Sequence, residues 1–392
     1  MKTYNRILVI IVFSQFCCTT LWFASNAVIS QLINSFGLAA NALGHLTSAV
    51  NFGFIIGTLI YAIFNFADRF SPSRVFFISA IVASMFNLAC ILNWNTLFTL
   101  LTFRFFTGFF LAGIYPVGMK IAADYSQAGL GKVLGFLVGA LVLGTASPHI
   151  LNVFSSTFSW KLVFVLTSVF ACLGGLLMLF LVPNGPFRKS IEKTDVKVFL
   201  TVFKNLELRK AAFGYFGHMW ELYAFWTFVP VMIVMFNTVN PNAPLNVPIL
   251  SFVTIAMGSL ASIIGGYVSQ RIGIEKTALL ALKASFLCCV LSPLFFMFQS
   301  KLALIIFMCF WGMVVIADSP LFSTLVANNA EPKNKGTAIT IVNSIGFAIS
   351  IISIQIMSFL LDVMNANYVY MVLAIGPFLA LIHFWRMKFR VT

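Results

Sequence analysis

Ala67-Asp68-Arg69-Phe70-Ser71-Pro72-Ser73-Arg74 and Ser269-Gln270-Arg271-Ile272-Gly273-Ile274-Glu275-Lys276 are the two stretches that decide the fold. Each is a short charged break between long apolar runs, and Arg69 and Arg271 stand 202 positions apart. A second landmark repeats at nearly the same offset: Gly108 followed by Pro116 returns, 204 positions on, as Gly312 followed by Pro320. Two landmarks at nearly one offset mark an internal duplication of the kind that builds paired structural repeats.

Working outward from the loops, segments of spanning length cover 7–34, 41–64, 75–93, 96–119, 133–150 and 162–183. A second set covers 211–236, 248–268, 277–298, 302–326, 337–361 and 368–385. One membrane helix takes about 20 apolar residues. The composition agrees, since the 392 residues are 60% hydrophobic and 9% charged, with a mean hydropathy of +1.00. Soluble domains carry about 25% charged residues, and disorder needs high charge with low hydrophobicity, so both classes are excluded. The predicted fold is all-α: a twelve-helix integral membrane protein, built as two six-helix halves, 1–183 and 211–392. An even number of spans per half makes the repeats parallel. The polar stretch 184–210, with Arg188, Lys189, Glu192, Lys193, Asp195, Lys197 and Arg209, is the predicted linker, and Val198–Leu206 within it is a predicted amphipathic surface helix.

The formal net charge of +14 would suggest nucleic acid in a soluble protein. Threaded through a bilayer, however, the Lys and Arg clusters fall on one face, with only Lys161 and Lys301 opposite. This positive-inside asymmetry puts both termini and the linker in the cytoplasm, and leaves a nucleic-acid partner unexpected. The first apolar run continues through Trp22, Asn26 and Ile33 with no small-residue cleavage site, so it reads as an uncleaved span. All seven cysteines sit inside apolar segments without zinc-ligand spacing, as packing residues do.

These features resemble the major facilitator superfamily. Its loop signature after the second helix, Gly-x-x-x-Asp-Arg-x-Gly-Arg-Arg/Lys, is kept largely in Gly266-Tyr-Val-Ser-Gln270-Arg271-Ile-Gly273 with Lys276. The first-half copy keeps Asp68, Arg69 and Arg74 but has Phe64 and Ser71 where glycines are usual. Leu101-Thr-Phe-Arg104-Phe-Phe-Thr107-Gly108 is similar to the family's Leu-x-x-Arg-x-x-Gln-Gly motif. The helix-five antiporter signature, a Gly-Pro pair followed by Gly-Gly, is not matched by Gly135, Gly139, Gly144 and Pro148. His218-Met-Trp-Glu221 through Trp226, and Ala317-Asp318-Ser319-Pro320, resemble a bacterial branch grouped with nitrate/nitrite and cyanate carriers. The resemblance implies a central cavity lined by spans 1, 4, 7 and 10, worked by alternating access.

An ionised side chain at the bilayer centre costs about 2.5–3.5 kcal/mol on insertion scales, so each should face protein or water. Arg104 on span 4, His218 and Glu221 on span 7 and Asp318 on span 10 are the groups at issue. Arg104 suits an anionic substrate, its alternative being an ion pair with Glu221 or Asp318. Glu221 and Asp318, with His218 beside them, are candidates for proton coupling. His218 and Glu221 supply two ligands where a metal site wants three, so no metal is expected. Lys283 on span 9 snorkels. Gln15, Thr19, Trp22 and Asn26 follow helical spacing on span 1 and, with Trp226, are expected to line the cavity, interhelical hydrogen bonding being the alternative. Asn343, Gly346 and Ser350 on span 11 make a weaker, packing stripe. Asp68, Arg69, Arg74 and Arg271 are expected to form a cytoplasmic gate.

The expected function is secondary active transport, with protons as coupling ion, of a small polar, anionic solute across an inner membrane. No Walker loop is present, and neither a cofactor nor enzymatic activity is expected. The expected partners are the small-molecule substrate, protons and the lipid bilayer, with the chain working as a monomer. An exporter of amphiphilic compounds or siderophores on the same fold is the first alternative; a membrane sensor or enzyme would need a signalling domain or catalytic constellation.

Overall fold

The computed structural model describes residues 2–125, 130–156, 159–188, 202–298, 300–331, 335–365 and 367–388. Among them the chain is helical, with no strand. Eleven helical segments are long and apolar enough to cross a membrane, and Arg6–Thr19 is a shorter apolar helix. A helix satisfies its own backbone polar groups, which lipid cannot do. By internal contacts the chain divides into two compact units, Met1–Lys193 and Thr194–Thr392.

In the first unit, span 1 comes in three pieces, Lys2–Thr19, Ala24–Ala27 and Ile29–Phe36, the last ended by Gly37 in the left-handed conformation. Span 2 is Ala42–Ile63 and span 3 is Pro72–Ala89. Span 4 is split into Leu97–Leu111, opened by a Thr96/Thr99 capping box, and Tyr115–Asp124. Spans 5 and 6 are Leu130–Leu151 and Lys161–Leu181. In the second unit, spans 7, 8 and 9 are Leu206–Val239, Val247–Ile272 and Ile274–Met297. Span 10 is split into Lys301–Ala317 and Ser319–Asn329, span 11 is Lys335–Val363, and span 12 is a 3-10 turn, Val369–Ala374, running into Ile375–Lys388.

The duplication seen in the sequence is a repeated backbone contact. A Cβ on Gly108 would land on the Val50 carbonyl, and a Cβ on Gly312 on the Thr254 carbonyl. Val50 and Thr254 are themselves 204 positions apart. Spans 2 and 4 in one unit, and spans 8 and 10 in the other, therefore cross at matching points where only glycine lets the backbones meet. The two loops turn differently. The second-unit copy uses Gly273 at φ 95°, whereas the first-unit copy uses Asn65 at φ 52°, a residue type that tolerates the left-handed region.

Span 1 departs from the expected unbroken 7–34 helix. Its α-helical ladder stops at Thr19 and resumes at Ala24, because the Thr19 and Thr20 hydroxyls bond back to the Gln15 and Cys17 carbonyls and compete with the ladder. The helical spacing of Gln15, Thr19, Trp22 and Asn26 therefore does not run through to Asn26. Spans 4 and 10 break just before Pro116 and Pro320, which have no N–H to give the preceding turn. The expected Val198–Leu206 surface helix lies outside the described residues over 198–201. Val202–Lys204 is a single 3-10 turn, and Asn205 caps span 7 by accepting from the Glu207 and Leu208 amides.

Candidate functional site

The second unit gathers three ionisable side chains. Glu221 and His218 stand one turn apart on span 7, and Asp318 occupies the joint between the two pieces of span 10; each is 1% exposed. Glu221 Oε1 accepts from Ser285 Oγ on span 9 at 2.5 Å and from Trp311 Nε1 on span 10 at 2.7 Å. The carboxylate thus ties three spans together and has little freedom left. His218 Nδ1 lies 2.7 Å from Asp318 Oδ1, off the line of a well-directed hydrogen bond. The other ring nitrogen, Nε2, is buried with no hydrogen-bond partner among the described residues. The Asp318 backbone carbonyl accepts from the Leu321 and Phe322 amides, so the break positions the side chain beside His218. Trp226, five residues beyond Glu221, is buried and packs edge-to-face on Tyr223 at 5.5 Å. Lys283 is exposed.

In the first unit Arg104 is wholly buried, among acceptors that hydropathy cannot reveal. Nη1 donates to Asn87 Oδ1 at 2.8 Å; Nη2 donates to the Leu21 and Trp22 carbonyls at 2.9 and 2.5 Å. Those carbonyls belong to the break in span 1, so the guanidinium satisfies backbone groups that a continuous helix would have satisfied itself. Asn87 in turn donates to Thr167 Oγ1 and Ser168 Oγ on span 6. Arg104 therefore braces spans 1, 3 and 4 and, through Asn87, span 6. Its Nε alone has no partner among the described residues.

The span 1 residues go to different neighbours. Trp22 Nε1 donates to Asn51 Oδ1 at 3.2 Å, and Asn26 Nδ2 to Thr47 Oγ1 at 2.8 Å, both on span 2. Thr19 turns toward span 5, where a Cβ on Gly144 would strike its hydroxyl. Gln15 faces Gly118 of span 4, and neither its amide oxygen nor its nitrogen has a partner among the described residues. On span 11, Gly346 packs on Tyr215 and Met219, as a packing stripe should.

Of the expected gate residues, Asp68 is paired with Lys120 at 2.9 Å, and Lys120 also reaches Asp124 at 3.7 Å. Arg69, Arg74 and Arg271 are exposed and form no ion pair among the described residues. The start of the linker is strapped to the Asp68 corner. Arg188 donates to the Asp68 and Phe70 carbonyls, the Phe187 amide to the Asp124 carbonyl, and Tyr125 Oη to the Pro183 carbonyl. In the second unit Lys210 bridges Glu275 at 2.9 Å and Glu207 at 3.7 Å. Lys120, Asp124, Asn87, Ser285 and Trp311 are not singled out by the sequence, and Arg188 reads there only as part of the polar linker. Lys120 sits where span 4 was expected to end, and a lone Asn in span 3 was the only outward sign of the brace. Among the described residues no three metal-ligating side chains come together.

Residues 11–354 match the family model described as Major Facilitator Superfamily. The 4-hydroxybenzoate transporter PcaK of Acinetobacter baylyi is 29% identical over 168 residues, 41% of this chain and 35% of that protein. The hexuronate transporter of Bacillus subtilis is 25% identical over 260 residues, 62% of this chain and 58% of that protein. The chain thus matches less than two thirds of the length of these curated relatives. Among solved structures, the proton:xylose symporter XylE superposes with a TM-score of 0.77 at 12% identity, covering 98% of this chain and 96% of that one. At that identity the likeness establishes the fold.

Proposed function

The chain belongs to the Major Facilitator Superfamily, and from that premise we propose that it is a proton-coupled secondary transporter of a small organic anion, working by alternating access in a bacterial inner membrane with both termini in the cytoplasm. The observation that carries the reading is the His218–Asp318 pair. It joins a carboxylate to an imidazole at an interrupted helix, buried, with one ring nitrogen lacking a partner among the described residues. Such a pair can take up or release one proton by a small movement of span 10 against span 7. Glu221, by contrast, is held by Ser285 and Trp311 and serves to position span 7 against spans 9 and 10.

The solute class rests on two supports. The relatives named for 4-hydroxybenzoate and hexuronate are named for carboxylates. Gln15 is a buried side chain in the first unit whose amide has no partner among the described residues, a group that a polar solute can satisfy. XylE, which shares the fold, is a proton:xylose symporter, which supports protons as the coupling ion. Purified protein in proteoliposomes with an imposed pH gradient, offered a panel of labelled carboxylates, tests the proposal. Asp318→Asn should abolish uphill uptake while leaving exchange of solute across equal pH, because exchange needs binding and reorientation but no net proton movement. Uphill uptake surviving in both Asp318→Asn and His218→Gln would remove the pair from the mechanism.

A further inference from the structure

At the end of the first unit that carries Asp68 and Arg188, a groove of about 580 Å³ opens between the start of span 3 and the end of span 6. Its polar side is made by Ser71, Arg74 and Asn184, and its other side by Leu179 and Phe180. Phe180 is 75% exposed, on a span whose outward face is otherwise Val169, Leu173 and Leu176, so this side of the groove is continuous with a lipid-facing surface. Ser71 Oγ donates to Asn184 Oδ1 at 2.9 Å, which leaves the Asn184 NH2 free to donate, with no acceptor among the described residues. Arg74 forms no ion pair there either. The nearby carboxylates Asp68 and Asp124 are both engaged by Lys120.

The groove therefore presents one uncompensated guanidinium and an amide on its polar side, beside an apolar wall that continues into the membrane. We propose that it is a binding site for an anionic phospholipid, with the phosphate on Arg74 and Asn184 and an acyl chain along Leu179 and Phe180. Arginine suits this role because its planar fork grips phosphate oxygens in pairs. A free phosphate would use the polar side alone and gain nothing from Phe180; a zwitterionic lipid would gain the wall but bring its own cation to Arg74. The matching position in the second unit is Lys276, 202 residues on, which carries the same charge exposed in the first turn of span 9.

The test is native mass spectrometry of the full-length protein, with lipid added back as phosphatidylglycerol or phosphatidylcholine, and with glycerol 3-phosphate as the soluble arm. The intact chain should retain phosphatidylglycerol in preference to phosphatidylcholine. Arg74→Gln should cut phosphatidylglycerol retention about five-fold, the equivalent of about 1 kcal/mol for one basic side chain at an anionic surface. Leu179→Trp, which fills the groove and leaves every charge in place, should cut it comparably, and phosphatidylcholine retention should be unchanged in Arg74→Gln. Lys276→Gln should have little effect. Unchanged retention in Arg74→Gln overturns the proposal, as does an equal loss in Lys276→Gln, which would mean general surface charge. Displacement of the lipid by glycerol 3-phosphate alone would likewise reduce the site to a phosphate contact.

Discussion

Replacing Arg104 with lysine separates two roles that one positive charge in span 4 can play. If the guanidinium is chiefly a brace, the loss can be reckoned from its contacts. Its two terminal nitrogens serve three acceptors, Asn87 Oδ1 and the carbonyls of Leu21 and Trp22. An ammonium on the shorter lysine stem reaches one of them, so two buried acceptors go unmet. Each orphaned acceptor costs about 1–3 kcal/mol in proteins. Interhelical bonds in a membrane protein average nearer 0.6 kcal/mol when measured by double-mutant cycles, because the unfolded chain in lipid finds other partners. Two unmet acceptors therefore put the expected destabilisation of Arg104→Lys between about 1 kcal/mol on the membrane figure and about 6 kcal/mol on the general one. At roughly 2–4 °C per kcal/mol, borrowed from soluble domains of similar size to one half, the melting temperature should fall by several degrees.

The assay is thermal unfolding of the purified variant in detergent, alongside equilibrium binding of whichever carboxylate the uptake screen identifies. A cycle with Asn87→Leu sharpens it: because the two residues share a bond, the combined loss should be smaller than the separate losses added, by about 0.5–3 kcal/mol. A variant that melts with the wild type but no longer binds solute would refute the brace and return Arg104 to the substrate. A destabilised variant that still binds solute supports it.

Glu221→Gln keeps the acceptor oxygen for Ser285 and Trp311 and should melt within about 1 kcal/mol of wild type, whereas Glu221→Ala strands both donors and should lose at least about 2 kcal/mol; equal behaviour in a denaturation series would show that Glu221 does not hold the spans. Gly108→Leu and Gly312→Leu each drive a side chain into a facing carbonyl, of Val50 and Thr254 respectively, so both should fail to yield folded protein or lose well over 1 kcal/mol, and size-exclusion profiles should show matching defects. Asp68→Asn breaks the pair with Lys120 and should slow turnover with the protein still folded; the swap Asp68→Lys with Lys120→Asp should restore it, and transport unaffected by either change would leave the pair a mere anchor.

What the sequence could and could not reveal follows from where each signal is stored. The Gly108 and Gly312 repeat was readable because a close backbone crossing leaves only one residue type possible, and that requirement is written in the residue itself. His218, Glu221 and Asp318 were readable because charge in a span is costly and therefore rare. The partners of Arg104 were not, since two of them are main-chain carbonyls that every residue carries, and they are available only because span 1 breaks at Thr20–Phe23. Lys120 escaped notice for a related reason, being hidden at the edge of a span where a basic residue looks like topology.

The same offset that exposes the duplication also shows where the halves have parted. Carried across by 204 positions, Arg104 falls on Met308 and Asp318 falls on Ile114. The glycine crossings have been kept in both units while the ionisable groups of spans 4 and 10 have not: a cation braces the first half, and a carboxylate at a helix joint meets a histidine in the second. The brace spends its donors on carbonyls and an amide, whereas the carboxylate–imidazole pair keeps one ring nitrogen without a partner among the described residues. Under the proposed function, this divergence of spans 4 and 10 makes His218 and Asp318, more than Arg104, the pair whose variants should separate coupling from folding.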